Sequence, residues 1–255
     1  MDLTSLASVV AGAQRFLSLE TALHGLVNNA GIMATPFMLT GDGHEAQWQT
    51  NYLAHWVLTA HLLPTLQSTA KANGPGSVRV VNVSSSGHLA APKGGICFAG
   101  PELKDEAGGS VWKRYGQSKL ANILHARTLH AKYGPGSPGA RDGEGEIWTS
   151  AVHPGIVESG LAGSAEQNTT GFSGVLWAMR KMGVTMEADK GAWTNLWCVA
   201  GKEMTAERSG GYEEVFNRCG EPGWMSGPAK DAELAERLEE WTEEIMTREG
   251  WVGKK

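Results

Sequence analysis

The chain has 255 residues and a formal net charge of −5, with 41% apolar and 19% charged residues, the balance of a soluble globular protein rather than a disordered one. Its 22 Lys and Arg form no basic run, so nucleic acid has no electrostatic footprint here. No stretch approaches the roughly 18 apolar residues of a membrane span. An acid, Asp2, stands where a secretory leader carries positive charge. Cys97, Cys198 and Cys219 are odd in number and widely spaced, which suits neither a disulfide framework nor a zinc site, so a reducing, cytoplasmic setting is expected. Gly is unusually common, 34 residues, which asks for tight turns or close backbone approaches.

In chain order, residues 3–20 read as a helix. His24–Asn29 is a short apolar run closed by Ala30-Gly31, a strand and its turn. From Gly43 to about Gln67, Trp48, Tyr52, Trp56, Leu62, Leu63 and Leu66 form a helical stripe, with Pro64 expected to kink its last turn. Ser77–Val83 is β-branched and too short for a helix. Helical spacing returns over Val111–Tyr133, and Ile147–Val152 is a third strand stopped by His153-Pro154-Gly155. Gly134–Gly145 reads as a flexible surface loop. Gly174–Met182 and Ala188–Ala200 look helical, Gly211–Phe216 reads as a last strand, and residues 231–248 form an amphipathic helix with an acidic, solvated side. Strands alternating with helices predict an α/β fold, a Rossmann-like parallel sheet flanked by helices on both faces, and nothing marks a second domain.

The residues that could carry chemistry begin with Tyr115-Gly116-Gln117-Ser118-Lys119. Tyr and Lys four apart on a helix share a face. A nearby ammonium favours phenolate and lowers a tyrosine pKa from about 10 toward neutrality, as alcohol–ketone proton exchange needs. Strand 77–83 runs into Ser84-Ser85-Ser86-Gly87, strand 24–29 ends in Asn28-Asn29-Ala30-Gly31, and strand 147–152 leads into His153–Ser159. All three arrive at the sheet edge where ligands bind in open α/β folds. Asn51 sits inside a helix, where Asn needs a reason.

NNAG at 28–31, Asn51, VNVSS at 81–85, YGQSK at 115–119 and HPGIVES at 153–159 together resemble the short-chain dehydrogenases/reductases. The KLAN run at 119–122 and SGGY at 209–212 resemble the retinol-dehydrogenase-like and fungal carbonyl-reductase members. The resemblance implies an NAD(P)-dependent oxidoreductase, with NADP preferred and NAD not excluded. In it, Tyr115 exchanges the proton, and Lys119 lowers the Tyr115 pKa and holds the nicotinamide ribose. Ser85, with Ser86 as its rival, orients the substrate oxygen. Asn51 holds a water linking Lys119 to solvent. Asn29 lies by the cofactor ribose, while Asn28 better suits a strand-to-strand hydrogen bond. Val157 and Ser159 hold the carboxamide, and Asp2 meets the adenine, unless it is an acid at a helix N-terminus. His88 and His153 are read as structural.

The resemblance also marks what to expect at the start of the chain. No TGxxxGxG turn follows a first strand, and Asp2-Leu3 falls where the family has passed its third strand. The expectation is therefore one partial, N-terminally truncated domain over 1–255, with strand 24–29 at an exposed sheet edge prone to homo-oligomerisation or aggregation. The segment 160–200 corresponds to a substrate lid whose apolar content suggests a hydrophobic carbonyl or alcohol substrate. The competing reading is a non-catalytic protein on the same scaffold that acts by binding a partner. A hydrolase is poorly supported, because G-x-S-x-G is missing and His44-Glu45 lacks the second His of H-E-x-x-H.

Overall fold

A computed structural model describes the chain apart from residues 105–109, 159, 215–220 and 254–255. Its elements begin with α1 (Leu6–Leu17), β1 (Gly25–Asn28), α2 (Ala46–Trp48), α3 (Ala54–Asn73), β2 (Val78–Val83), α4 (Val111–Tyr133) and α5 (Pro138–Arg141). There follow β3 (Ile147–His153), β4 (Ile156–Val157), α6 (Gly160–Asn168), α7 (Phe172–Lys181), β5 (Thr185–Met186), α8 (Ala188–Gly191) and α9 (Trp193–Ala200). The last are β6 (Gly211–Glu214), β7 (Glu221–Pro222), α10 (Gly227–Lys230) and α11 (Ala232–Arg248).

The sheet order is β1-β2-β3-β6-β7, parallel except for the β6–β7 pair. This is the Rossmann-like parallel sheet expected, and strand 24–29 does lie at its edge, with Val27 38% exposed. β2 and β3 are central and covered on both faces, which is why VRVVNV and IWTSAVH read as nearly continuous buried runs. Alternate residues of β2 serve opposite faces. Val78 and Val80 join the main core with α1, α3, α4 and α11, whereas Val81 meets Val152 and Cys198 of α9 on the other side.

Several local readings change. Pro64 lies inside α3, which runs on to Asn73; the irregularity is a π turn upstream, over Gln49–Leu53. Segment 134–145 is less loose than its composition implied, because α5 sits within it. The Ser137 hydroxyl caps α5 at Ala140 N–H, and Glu144 N–H donates to Gly139 C=O. The 188–200 stretch breaks at Ala192 into α8 and α9. The β4–β5 pair was not anticipated, being two residues per strand. Phe216 and Cys219 lie outside the described residues.

Candidate active site

The C-terminal ends of β1, β2 and β3 open onto a cavity of about 730 Å³. Asn29, Gly31, Ser85, Tyr115, Lys119 and Val157 line it, so most of the residues singled out by sequence meet in one place. A larger hollow of about 1090 Å³ lies between α4, α5, β6 and α11 and contains none of them.

Helix α4 carries the Tyr–Lys pair. It starts at Ser110, whose hydroxyl accepts from Lys113 N–H at 3.2 Å, and it buries Tyr115, Ser118, Lys119 and Asn122 along one side. A Cβ at Gly116 would come within 2.6 Å of Ala91 N, so only glycine lets α4 press against the turn that follows Ser85. The Lys119 ammonium donates to Val83 C=O at 2.9 Å and stands 5.7 Å from the Tyr115 ring centroid. Burial brings the Lys119 pKa down to about 8. Burial also pushes Tyr115 up to about 12, partly offset by the neighbouring Ser85 hydroxyl. The expected lowering of Tyr115 by Lys119 is therefore not seen, because both groups are fully buried and desolvation dominates. Near neutral pH the phenol keeps its proton.

The three consecutive serines take three directions. Ser84 is buried and donates to Lys119 C=O at 2.7 Å. Ser86 is exposed. Ser85 alone of the three acts on Tyr115, holding its pKa down against burial, and its hydroxyl accepts from Gly87 N–H at 3.0 Å. A Cβ at Gly87 would meet Tyr115 Cε1 at 2.6 Å.

Asn51 lies in the π turn, where Ala54 N–H reaches back to Gln49 C=O. Its side chain makes three hydrogen bonds behind the cavity. Oδ1 accepts from Ile32 N–H at 2.8 Å, while Nδ2 donates to Ile32 C=O at 2.9 Å and to Ser118 Oγ at 2.9 Å. A π turn of this kind often accompanies a functional site. The space a Cβ at Gly31 would fill lies 2.9 Å from Asn51 Oδ1 and 3.3 Å from Lys119 Nζ.

Asn28 bridges strands, with Nδ2 donating to Asn82 Oδ1 at 2.8 Å and to Thr59 Oγ1 at 3.1 Å. Asp2 is not brought to the cavity; its Oδ1 accepts from Thr4 N–H and Thr4 Oγ1. Ser159 lies outside the described residues. Burial, then the neighbouring charges of His88 and Lys119, lower the His153 pKa to about 4. Of the lid segment, Leu161, Phe172, Leu176 and Met179 reach the cavity, whereas Trp177 and Met182 are exposed. Trp112 stands between Tyr115 and Phe172, at 6.4 and 5.3 Å between ring centroids.

Sequence reading missed the fastenings around the site. Glu45 caps α2 at Trp48 N–H and pairs at 3.4 Å with Arg114, the sequence neighbour of Tyr115, and both side chains are fully buried. Gln47 accepts from Ala34 N–H, and Gln117 from Cys97 N–H. Their partners are distant in sequence, so no local pattern announces them.

The cavity walls suit a nicotinamide. Asn195 Oδ1 on the wall is a buried acceptor without a hydrogen-bond partner, matched to a donating carboxamide. Gly191 lets α8 close onto Val157, whose Cγ2 would lie 2.4 Å from a Cβ there.

No protein-family model matches the chain. It is 50% identical over 251 residues to a short-chain dehydrogenase/reductase, drtF, of Aspergillus calidoustus, covering 97% of this chain and 76% of that one. It is 36% identical over 238 residues to human retinol dehydrogenase 12, covering 93% and 66%. Among solved structures it resembles the RhlG/NADP active-site complex of Pseudomonas aeruginosa, with a TM-score of 0.56 at 25% identity over 84% of this chain and 73% of that one. No helix among the described residues is long and apolar enough to cross a membrane.

Proposed function

The chain belongs to the short-chain dehydrogenase/reductase family and is an oxidoreductase that works with a nicotinamide cofactor, and on that premise we propose that it interconverts a carbonyl and an alcohol on a hydrophobic small molecule, with Tyr115 as the proton donor and acceptor. The observation that carries this reading is the meeting of Ser85, Tyr115 and Lys119 on the wall of one cavity. The nicotinamide, when bound, supplies or accepts the hydride. In the reductive direction, Tyr115 hands its phenolic proton to the substrate oxygen, while the Ser85 hydroxyl donates a hydrogen bond to that same oxygen. Lys119, close to its own titration point, balances the charge left on Tyr115 and faces the ribose with Asn29. Asn51 holds a water that links Lys119 to solvent. Val157 and Ser159 hold the carboxamide, with Asn195 as a further acceptor. Asp2, occupied with Thr4, stands outside the cavity.

The cofactor proposed is NADP rather than NAD, and the setting proposed is cytoplasmic. The apolar walls of Trp112, Phe172, Leu176 and Met179 support a hydrophobic substrate. Self-association through the β1 edge belongs to the same proposal, supported by the exposed Val27, and light scattering at rising concentration tests it. The non-catalytic reading is not favoured.

The decisive test is NADPH consumption with a panel of apolar aldehydes and ketones. Tyr115→Phe is expected to lower kcat about 10²–10⁴-fold, the usual worth of a positioned acid. Unchanged turnover in that variant would remove Tyr115 from the mechanism.

A further inference from the structure

We propose that His88 is a positioning residue: its ring ties the carbonyl of Ser85 to the segment that opens α10, and so sets where the Ser85 hydroxyl stands. This rests on Ser85 being the group that meets the substrate oxygen.

The turn after Ser85 is already made by local bonds. The Ser85 hydroxyl accepts from Gly87 N–H, and the Ser85 carbonyl accepts from His88 N–H at 3.0 Å. The imidazole adds something the turn does not need. His88 Nδ1 lies 2.8 Å from the Ser85 carbonyl oxygen, and Ser226 N–H donates to His88 Nε2 at 3.3 Å. These partners fix the protonation of the ring. A backbone N–H can only donate, so Nε2 must offer a lone pair; a carbonyl can only accept, so Nδ1 must carry the hydrogen. One neutral tautomer satisfies both, and a charged ring would lose the Ser226 bond.

The surroundings keep the ring there. His88 is 1% exposed, and the Tyr212 ring stands against it at 5.3 Å and 73°. Burial lowers its pKa, in keeping with the neutral form. At the far end, the Ser226 hydroxyl caps α10 at Ala229 N–H. Pro228 of α10 is close to Gly95, where a Cβ would meet it at 2.9 Å. The tie thus joins the substrate-facing serine to the C-terminal helices, far along the chain.

Two half-replacements test it. An Asn amide places a donor where Nδ1 is and can hold the Ser85 carbonyl but not Ser226. A Gln oxygen reaches the Nε2 position and can hold Ser226 but not Ser85. Amide hydrogen exchange should show Ser226 deprotected in His88→Ala and His88→Asn but protected in His88→Gln. Gly87 should be deprotected in His88→Ala and His88→Gln but held in His88→Asn. In turnover, His88→Ala should lower kcat about tenfold with the KM for NADPH unchanged, and His88→Asn should recover most of it. Nitrogen shifts of the His88 ring should report the Nδ1–H tautomer. The proposal is overturned if exchange at Ser226 and Gly87 is the same in all three variants. It is equally overturned if Asn and Gln behave alike, or if kcat and the NADPH KM change together. Ser85→Ala separates the two ideas: full turnover there removes the role given to Ser85, while the exchange pattern still decides the tie.

Discussion

The two faces of the sheet are covered to very different depths. On one face, α1, α3, α4 and α11 pack over Val78, Val80, Ile147, Ala151 and Tyr212, and the core continues outward through Trp48, Tyr52 and Leu124. On the other, Val81 and Val152 meet Cys198 of α9, with Trp197 and Val199 partly buried around them. Trp193 and Leu196 on the same helix stay more than half exposed. Tyr115 and Lys119 ride on the deep face, and the cavity opens toward the apolar lid. Groups that must hold position are backed by thick packing, and the walls that admit a ligand belong to the thinner side.

The first way to break this contrast is at the largest expected effect. Arg114→Met leaves the fully buried Glu45 without its cation on the deep face. It should cost about 3–5 kcal/mol in urea unfolding, with part recovered in the Glu45→Met double variant. A loss under about 1 kcal/mol would mean that the pair does not hold α4 to α2. A sharper comparison uses neighbours on one strand. Val80→Ala should cost about 2 kcal/mol or more, and Val81→Ala about 1 kcal/mol, since a thin cover collapses onto the missing methyls more easily. Equal losses would show that both faces are equally firm.

A third test uses titration. The folded Lys119 releases its proton at about 8, below its unfolded value of 10.5. Between these values the unfolded chain binds more protons, so this group makes stability rise as pH climbs from 8 toward 10.5. Tyr115 works in the opposite direction only above pH 10, where the unfolded phenol ionises and the folded one, at about 12, does not. Wild type should therefore gain stability between pH 8 and pH 10, and Lys119→Met should flatten that gain. A parallel slope in the two proteins would place the ammonium in solvent. The smallest effect belongs to the start of α4, where Ser110→Ala should cost about 1 kcal/mol by thermal unfolding.

Much of the arrangement was legible where the signal is local. The strands read at 77–83 and 147–152 are there within a residue, as β2 and β3, and the spacing of Tyr115 and Lys119 placed both on one side of α4. Asn28 was read as a strand-to-strand bridge, and it is one. The edge position of strand 24–29 came from resemblance, since nothing in a strand's own pattern names its neighbour. Burial was the quantity least readable. Two groups on one helix side look like a surface pair from spacing alone, yet both are desolvated, and that reverses the direction of the Tyr115 shift. Ser85 and Ser86 could not be told apart by composition, because only the fold turns one toward Tyr115. The Glu45–Arg114 pair and the Gln47 and Gln117 fastenings join separate stretches of chain, so they left no mark in either stretch.

The π turn at Gln49–Leu53 has a consequence for how this helix tolerates change in length. A π turn is an α-helix with one residue to spare, and each residue advances the helix by about 100°. Removing one residue between Gln49 and Leu53 would let the ladder close as a plain α-helix, with Trp48 and Trp56 still in phase on either side of the cut and still able to be buried. Side chains within the turn itself would change direction. The surplus residue is thus what turns Asn51 toward Ile32 and Ser118. A single-residue deletion there should leave the fold largely intact and abolish the Asn51 contacts.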